Sequence, residues 1–221
     1  MACEEEIRGL ICDIGRRMYE KDFIAANDGN ISVRIDEDRF LCTPTDVSKG
    51  FMKPEMIAVV DGQGRQIEGP IPRTSEIFMH LEIYKALPHV RAVAHAHPPH
   101  ATAYAITDAK LPSGILPEVE VLLGEVPVAA YDTPGTKSFA QNLRPHLKQT
   151  VNTILLSNHG VVAFDQTLEK AYFHLETLEM YCRILLIGMQ IGNIRPLGEL
   201  KMRELLESKR RMGLADDRCG G

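Results

Sequence analysis

The chain has 221 residues, 44% of them hydrophobic and 25% charged, with a formal net charge of −5. That is enough chain for one ordinary core without disulfide support, and it offers no basic excess to offset nucleic-acid phosphates. Its five cysteines are scattered, without a CxxC pair, which argues against a disulfide framework or a structural zinc site. The N-terminal MACEEEIRGL is acidic where a secretory signal would be basic, and no apolar run approaches the ~20 residues of a membrane span. The expectation is a cytoplasmic protein with reduced thiols and neither nucleic acid nor membrane as partner.

In chain order, Ile7, Leu10, Ile11, Ile14 and Met18 recur at helical spacing and predict an amphipathic helix over 4–22. The turn-rich AANDGNIS (25–32) follows, then short strands in ISVRI and RFLCTP, then the loop TPTDVSKG (43–50). IAVVD, GQG and RQIEG read as strand, turn and strand. Residues 75–86 read as a helix with Thr74 or Ser75 as N-cap. VRAVAHAH predicts a strand, HATAYAI a short helix, VPVAAY a strand, and TKSFAQNLRPHL (136–147) a helix. TILLSNHGVVAF predicts two strands meeting at Asn158-His159-Gly160, before a long helix over 167–191 and a charged one over 198–211. No repeat or linker divides the chain, so 1–221 is read as one domain, with 213–221 as a disordered tail. Interleaved helices and hairpins imply a mixed, mostly antiparallel sheet with helices packed on it.

Three of the eight histidines fall within HAHPPHATA, residues 95–103. His95 and His97 end a strand, and period-two geometry puts them on one face roughly 7 Å apart at Cα, close enough to share a metal ion. Pro98 favours extended backbone at His97. Two exposed histidines on a surface strand would read the same way. A catalytic metal needs a third ligand and an open position; His159 is the candidate, with Gly160 supplying backbone freedom. His100 suits a helix start or a supporting group better than a ligand. Glu76, at a helix start, is either a charge favoured by the helix dipole or a functional acid. NDGNIS, TPTDVSKG with Lys49, and RTSE with Arg73 could each hold a small anion.

The ordered set NDGNIS, TPT, RTSE, HAHPPHATA, LPE and LLSNHG resembles the class II aldolase/adducin family over about residues 5–192, with the bacterial L-fuculose-1-phosphate aldolase branch as the nearest likeness. The resemblance implies a three-layer α/β/α sandwich around a mainly antiparallel sheet. It also implies homotetramers with active sites between subunits, and a small phosphorylated sugar as substrate. The metal would be Zn²⁺, with Mn²⁺ or Co²⁺ as alternatives, held by His95, His97 and His159. Glu76 matches the family's catalytic acid/base, which also approaches the metal. Gly29, Asn30, Thr45, Asp46, Thr74 and Ser75 match its phosphate-binding positions.

The activity so implied is reversible cleavage of a ketose 1-phosphate to dihydroxyacetone phosphate and an aldehyde, the metal acting as Lewis acid. Two departures stand out. Asp46 occupies a position commonly glycine in aldolases, beside the phosphate, where a carboxylate repels the dianion unless it points away or Lys49 or Arg73 compensates. The C-terminal tyrosine of some aldolases has no match. A sugar-acid phosphate decarboxylase or another lyase would keep the same histidines. A pentulose-phosphate 4-epimerase would carry Asp in place of Glu76, and a non-catalytic adducin-like scaffold would need none of these groups. Glu118 and Glu120 could add acid/base groups or simply face solvent.

Overall fold

Alternating apolar positions make each strand two-faced, and helices cover both faces. The computed structural model describes residues 3–219. Its helices are α1 (Glu4–Glu20), α2 (Ile77–Ala86), α3 (Pro99–Ala105), α4 (Pro117–Leu122), α5 (Lys137–Gln141), α6 (Leu168–Ile191) and α7 (Glu199–Arg211). The strands are β1 (Asn30–Arg34), β2 (Phe40–Cys42), β3 (Ala58–Val60), β4 (Gln66–Glu68), β5 (Ala92–Ala96), β6 (Val128–Ala129), β7 (Thr153–Leu156) and β8 (Gly160–Asp165). Among the described residues they form one sheet in the order β4-β3-β2-β1-β5-β8-β7-β6. Neighbours are antiparallel throughout except for the parallel β6–β7 pair.

One face carries Ile31, Leu41, Ala94 and Val161, buried under Ile11, Ile14 and Met18 of α1 and Leu175 and Leu178 of α6. The other carries Val60, Val93, Ile154 and Phe164, buried under Ile77, Ile83 and Tyr84 of α2 and Phe139 of α5. The chain is thus an α/β fold with helices on both sides of a mixed sheet, as expected from the sequence.

Four local features differ from the sequence reading. First, α2 starts at Ile77, with Glu76 rather than Thr74 or Ser75 at the N-cap. The reason is β-like pairing upstream: Thr74 donates its N–H to the Thr43 carbonyl, and Pro44 bridges Arg73. These bonds hold the chain in β-like pairing through Thr74, so the helix can start only after the turn at Ser75–Glu76. Second, α5 stops at Gln141, and Arg144–His146 form a separate 3₁₀ turn around Pro145, which has no N–H to continue the helix.

Third, within the 213–221 stretch expected as a disordered tail, Asp217–Cys219 form a 3₁₀ turn, and residues 220–221 lie outside the described residues. The Glu120 side chain is buried, and the Arg218 guanidinium closes on it while also pairing with Asp216. A buried carboxylate demands such a partner, and this use removes Glu120 as an acid/base group. Glu118 remains exposed.

Fourth, Asn158, not Gly160, takes the left-handed backbone of the β7–β8 turn, with φ 54°. Gly160 is required for space instead. A Cβ there would stand 2.5 Å from the Ala96 carbonyl oxygen and 2.5 Å from Cδ2 of His97. Gly160→Ala should therefore destabilise the protein by about 1–3 kcal/mol, seen as a lower urea midpoint at unchanged slope. A midpoint equal to that of the native protein would contradict this close approach.

Candidate metal centre and its acid

His95 lies on β5 and His97 just beyond it, on the same sheet face as Val93. His159 arrives from the opposite direction, in the turn between β7 and β8, and its ring packs 5.5 Å from that of Phe139. The three imidazoles converge, with ring centroids 4.6–5.0 Å apart and a nitrogen of each within 4.8 Å of the others.

The partners of the outer nitrogens define what the inner ones offer. His95 Nδ1 sits 2.9 Å from the Val161 carbonyl oxygen, which can only accept, so Nδ1 carries the proton. His97 Nδ1 faces the Asp28 carboxylate at 3.5 Å. Both Nε2 atoms are thereby left with lone pairs, and they face each other at 3.1 Å. Two lone pairs at that separation repel unless a positive centre lies between them.

Protonation is a poor solution. Burial pushes His95 well below its usual range, with His159 and His97 adding to the effect, and burial lowers His97 as well. Burial, assisted by His97, pulls His159 down to about 4. Neutral imidazoles with inward lone pairs suit a divalent cation, and their outer partners supply the supporting bonds that orient metal-binding histidines.

Glu76 closes the cluster. Its Oε2 lies 3.4 Å from His95 Nε2 and its Oε1 lies 3.5 Å from His159 Nε2. The carboxyl is mostly buried, and burial raises its pKa against the opposing bond from Asn30 and the charge of Lys49. Glu76 Oε1 and His159 Nδ1 are buried without a hydrogen-bond partner among the described residues. Glu76 Oε1 therefore faces the space into which the imidazole nitrogens also point.

Gly29 takes a left-handed backbone with φ 68°, and its position leaves no room for a Cβ beside the His95 carbonyl oxygen, 2.8 Å away. Asn30 is buried, and its amide donates to Glu76 Oε2 at 2.6 Å. Thr74 Oγ1 accepts from the Glu76 N–H, while Thr45 donates its N–H to the Pro72 carbonyl. The 43–46 and 72–76 segments are therefore adjacent, with Ser75 exposed at the end of the second.

Asp46 adopts φ 56°, the backbone that favours glycine, and its carboxylate accepts from the Asn27 side chain. Lys49 is buried with its ammonium on the Asn27 and Val47 carbonyls, and burial lowers its pKa to about 8. Arg73 spends its guanidinium on the Gly64 and Thr74 carbonyls. His100 is not drawn into the cluster; its Nδ1 pairs with Glu179, which also accepts the first backbone N–H groups of α3.

Sequence reasoning missed His80, Ser32 and Tyr84, which lie buried behind Asn30. The available signal was spacing. Glu76, His80 and Tyr84 recur every four residues along one face of a helix. Asn30 and Ser32 alternate along one face of a strand.

Comparison with known proteins places this geometry in context. Residues 9–186 match the model of the Class II Aldolase and Adducin N-terminal domain. The chain is 35% identical over 167 residues to the L-fuculose phosphate aldolase of Methanococcus vannielii, covering 76% of this chain and 88% of that protein. It is 32% identical over 200 residues to the 3-oxo-tetronate 4-phosphate decarboxylase of Haemophilus influenzae, covering 89% of this chain and 94% of that protein. Its fold matches a solved L-fuculose 1-phosphate aldolase with a TM-score of 0.84 and 29% identity, covering 95% of this chain and 98% of the other.

The depressed histidines make stability depend on pH. Burial also lowers His80 to about 3. Between these values and the ordinary 6.5 the unfolded chain binds protons that the folded chain refuses. Stability of the metal-free protein should therefore fall as pH drops below about 6.5, by roughly 1.4 kcal/mol per unit for each such histidine. Urea unfolding at a series of pH values tests this; a flat profile between about pH 6.5 and about 5 would contradict it.

Proposed function

The chain belongs to the Class II Aldolase and Adducin N-terminal domain family, and from that premise we propose that it is a metal-dependent aldolase. It would cleave a ketose 1-phosphate of the fuculose-1-phosphate kind, reversibly, to dihydroxyacetone phosphate and an aldehyde. One observation carries the reading: a buried carboxylate with a raised pKa stands 3.4–3.5 Å from two inward-facing imidazole nitrogens. That places a proton acceptor beside a site that can hold a Lewis acid.

In this reading His95, His97 and His159 hold a divalent cation, with Glu76 near enough to approach it. Zn²⁺ fits three imidazole ligands and an open position, and Mn²⁺ or Co²⁺ are alternatives. The cation supplies Lewis-acid stabilisation of negative charge developing at the substrate carbonyl oxygen. Glu76 moves the proton at the adjacent hydroxymethylene carbon, removing it in the synthetic direction and returning it after cleavage. Its raised pKa brings it closer to the working pH than an exposed carboxylate would be.

Gly29, Thr45, Asp46, Thr74 and Ser75 are assigned to the phosphate rim, whereas the Asn30 amide is committed to Glu76 and His80. The Asp46 carboxylate is held by Asn27 of the adjacent 25–32 segment. The buried Lys49 contributes the nearby positive charge. Assembly as a homotetramer and residence in the cytoplasm belong to the same reading. Cys3, Cys12, Cys42 and Cys182 are free thiols, and no described helix is long and apolar enough to cross a membrane.

A second reading is favoured by one finding, the fuller coverage of the 3-oxo-tetronate 4-phosphate decarboxylase relative. Loss of CO₂ from a 3-oxo acid phosphate leaves the same kind of carbanion to be stabilised and protonated, so the same residues serve it.

Metal-loaded protein incubated with dihydroxyacetone phosphate in D₂O should exchange one hydroxymethylene proton, read by NMR. Chelator should abolish the exchange, and Glu76→Gln should slow it by roughly 10²–10⁴-fold. No exchange by metal-bound protein, with or without added aldehyde, would sink the aldolase reading. CO₂ release from 3-oxo-tetronate 4-phosphate would then establish the second.

A further inference from the structure

Behind Glu76 runs a chain of buried hydrogen bonds that ends in no solvent. Asn30 Nδ2 donates to Glu76 Oε2 at 2.6 Å, and Asn30 Oδ1 lies 2.6 Å from His80 Nε2. His80 Nδ1 lies 2.7 Å from Ser32 Oγ, which lies 2.8 Å from the Tyr84 hydroxyl. The Ser32 carbonyl oxygen, 2.9 Å from that hydroxyl, is a second acceptor within its reach. Asn30, Ser32, His80 and Tyr84 are all at most 3% exposed.

The carboxylate at one end sets the polarity of every link. An ionised carboxylate only accepts, so the Asn30 group facing it is the NH₂. The Asn30 oxygen then faces His80, so His80 Nε2 must carry its proton. His80 Nδ1 is left as acceptor, so the Ser32 hydroxyl donates to it. Ser32 Oγ is then left as acceptor, so the Tyr84 hydroxyl spends its one proton on that oxygen and ends the series. No link leaves a buried donor facing a donor, and such full satisfaction is what makes a buried polar network rigid.

We infer that His80 is a positioning residue for Glu76: by donating Nε2–H to Asn30 it fixes the amide so that its NH₂ pins Glu76 Oε2 and leaves Oε1 for the reacting proton. This rests on the reading in which Glu76 moves a proton. The geometry supplies the reason a histidine is needed. An apolar residue at 80 would leave the Asn30 oxygen unpaired in the core and remove the bond that prevents a half-turn of the amide, which would aim that oxygen at the carboxylate. His80 is not part of the imidazole cluster, and burial keeps it neutral.

Three measurements test the inference. In metal-free protein carrying ¹⁵N-histidine, long-range ¹H–¹⁵N spectra should show His80 as the neutral Nε2–H tautomer. The Nδ1–H tautomer would overturn the inference. In metal-loaded protein, His80→Leu should lower the kcat of deuterium exchange into dihydroxyacetone phosphate by about 10–100-fold, with KM and Zn²⁺ affinity within about two-fold. His80→Gln, whose side-chain NH₂ can replace the donor to Asn30, should recover most of that loss. An unchanged kcat in the leucine variant, or a loss that glutamine does not reverse, would overturn the inference. If the native protein shows no exchange, the aldolase reading fails, and the tautomer then decides the positioning role alone. The same spectrum decides it if the leucine variant does not fold.

Discussion

A carboxylate taken out of water is the constraint around which this molecule is arranged. Burial disfavours the charged form of Glu76 by several kcal/mol unless polar partners replace the lost hydration. Asn30 supplies one such bond, and Lys49 supplies opposite charge through its own buried ammonium. Neither neutralises the group fully, since the pKa stays raised. The second oxygen keeps no partner among the described residues. The fold therefore maintains a partly unsatisfied carboxyl at a cost, beside imidazoles on which burial disfavours a charge.

Topology makes the arrangement permanent. Asn30 on β1 pairs directly across from His95 on β5, as the first pair of an antiparallel ladder. A slip of one residue in either strand would turn its polar side chain to the opposite core. β5 also pairs with β8, whose first residue follows His159, so one central strand carries His95, leads straight into His97 and braces the third imidazole. α2 lies over this face with Glu76 at its N-cap. Acid and imidazoles are thus set by sheet register and helix start, both more rigid than loops.

Much of this was legible in the residues. Periodicity located the helices and strands because each buries one face, and the His-x-His spacing identified a shared face before any contact was known. The acid and the third imidazole became convincing only as members of an ordered motif set, since Glu76 and His159 each read as ordinary turn or helix-start chemistry in isolation. What remained hidden depended on contacts between distant segments. The start of α2 was displaced by pairing between residues 43–44 and 73–74, which no local propensity reports. Glu120 read as a solvated acid until Arg218, 98 residues away, covered it. Asn30 read as a loop residue near a phosphate, yet both ends of its amide are bonded within the core.

The glycines of the NDGN and SNHG segments carry a separate lesson about what a motif records. Gly29 and Gly160 sit beside the acid's partner and the third imidazole, so an observer comparing related chains would group them with the chemistry. Each instead lies where an added methyl group would meet a carbonyl oxygen at the end of β5, and Gly29 also takes a left-handed backbone against the Ile24 side chain. These positions would remain glycine in a relative that had lost its histidines and its catalysis but kept the strand packing. Invariance there measures the tightness of the scaffold, and only the side chains between the glycines can distinguish a working enzyme from an inert domain of the same shape.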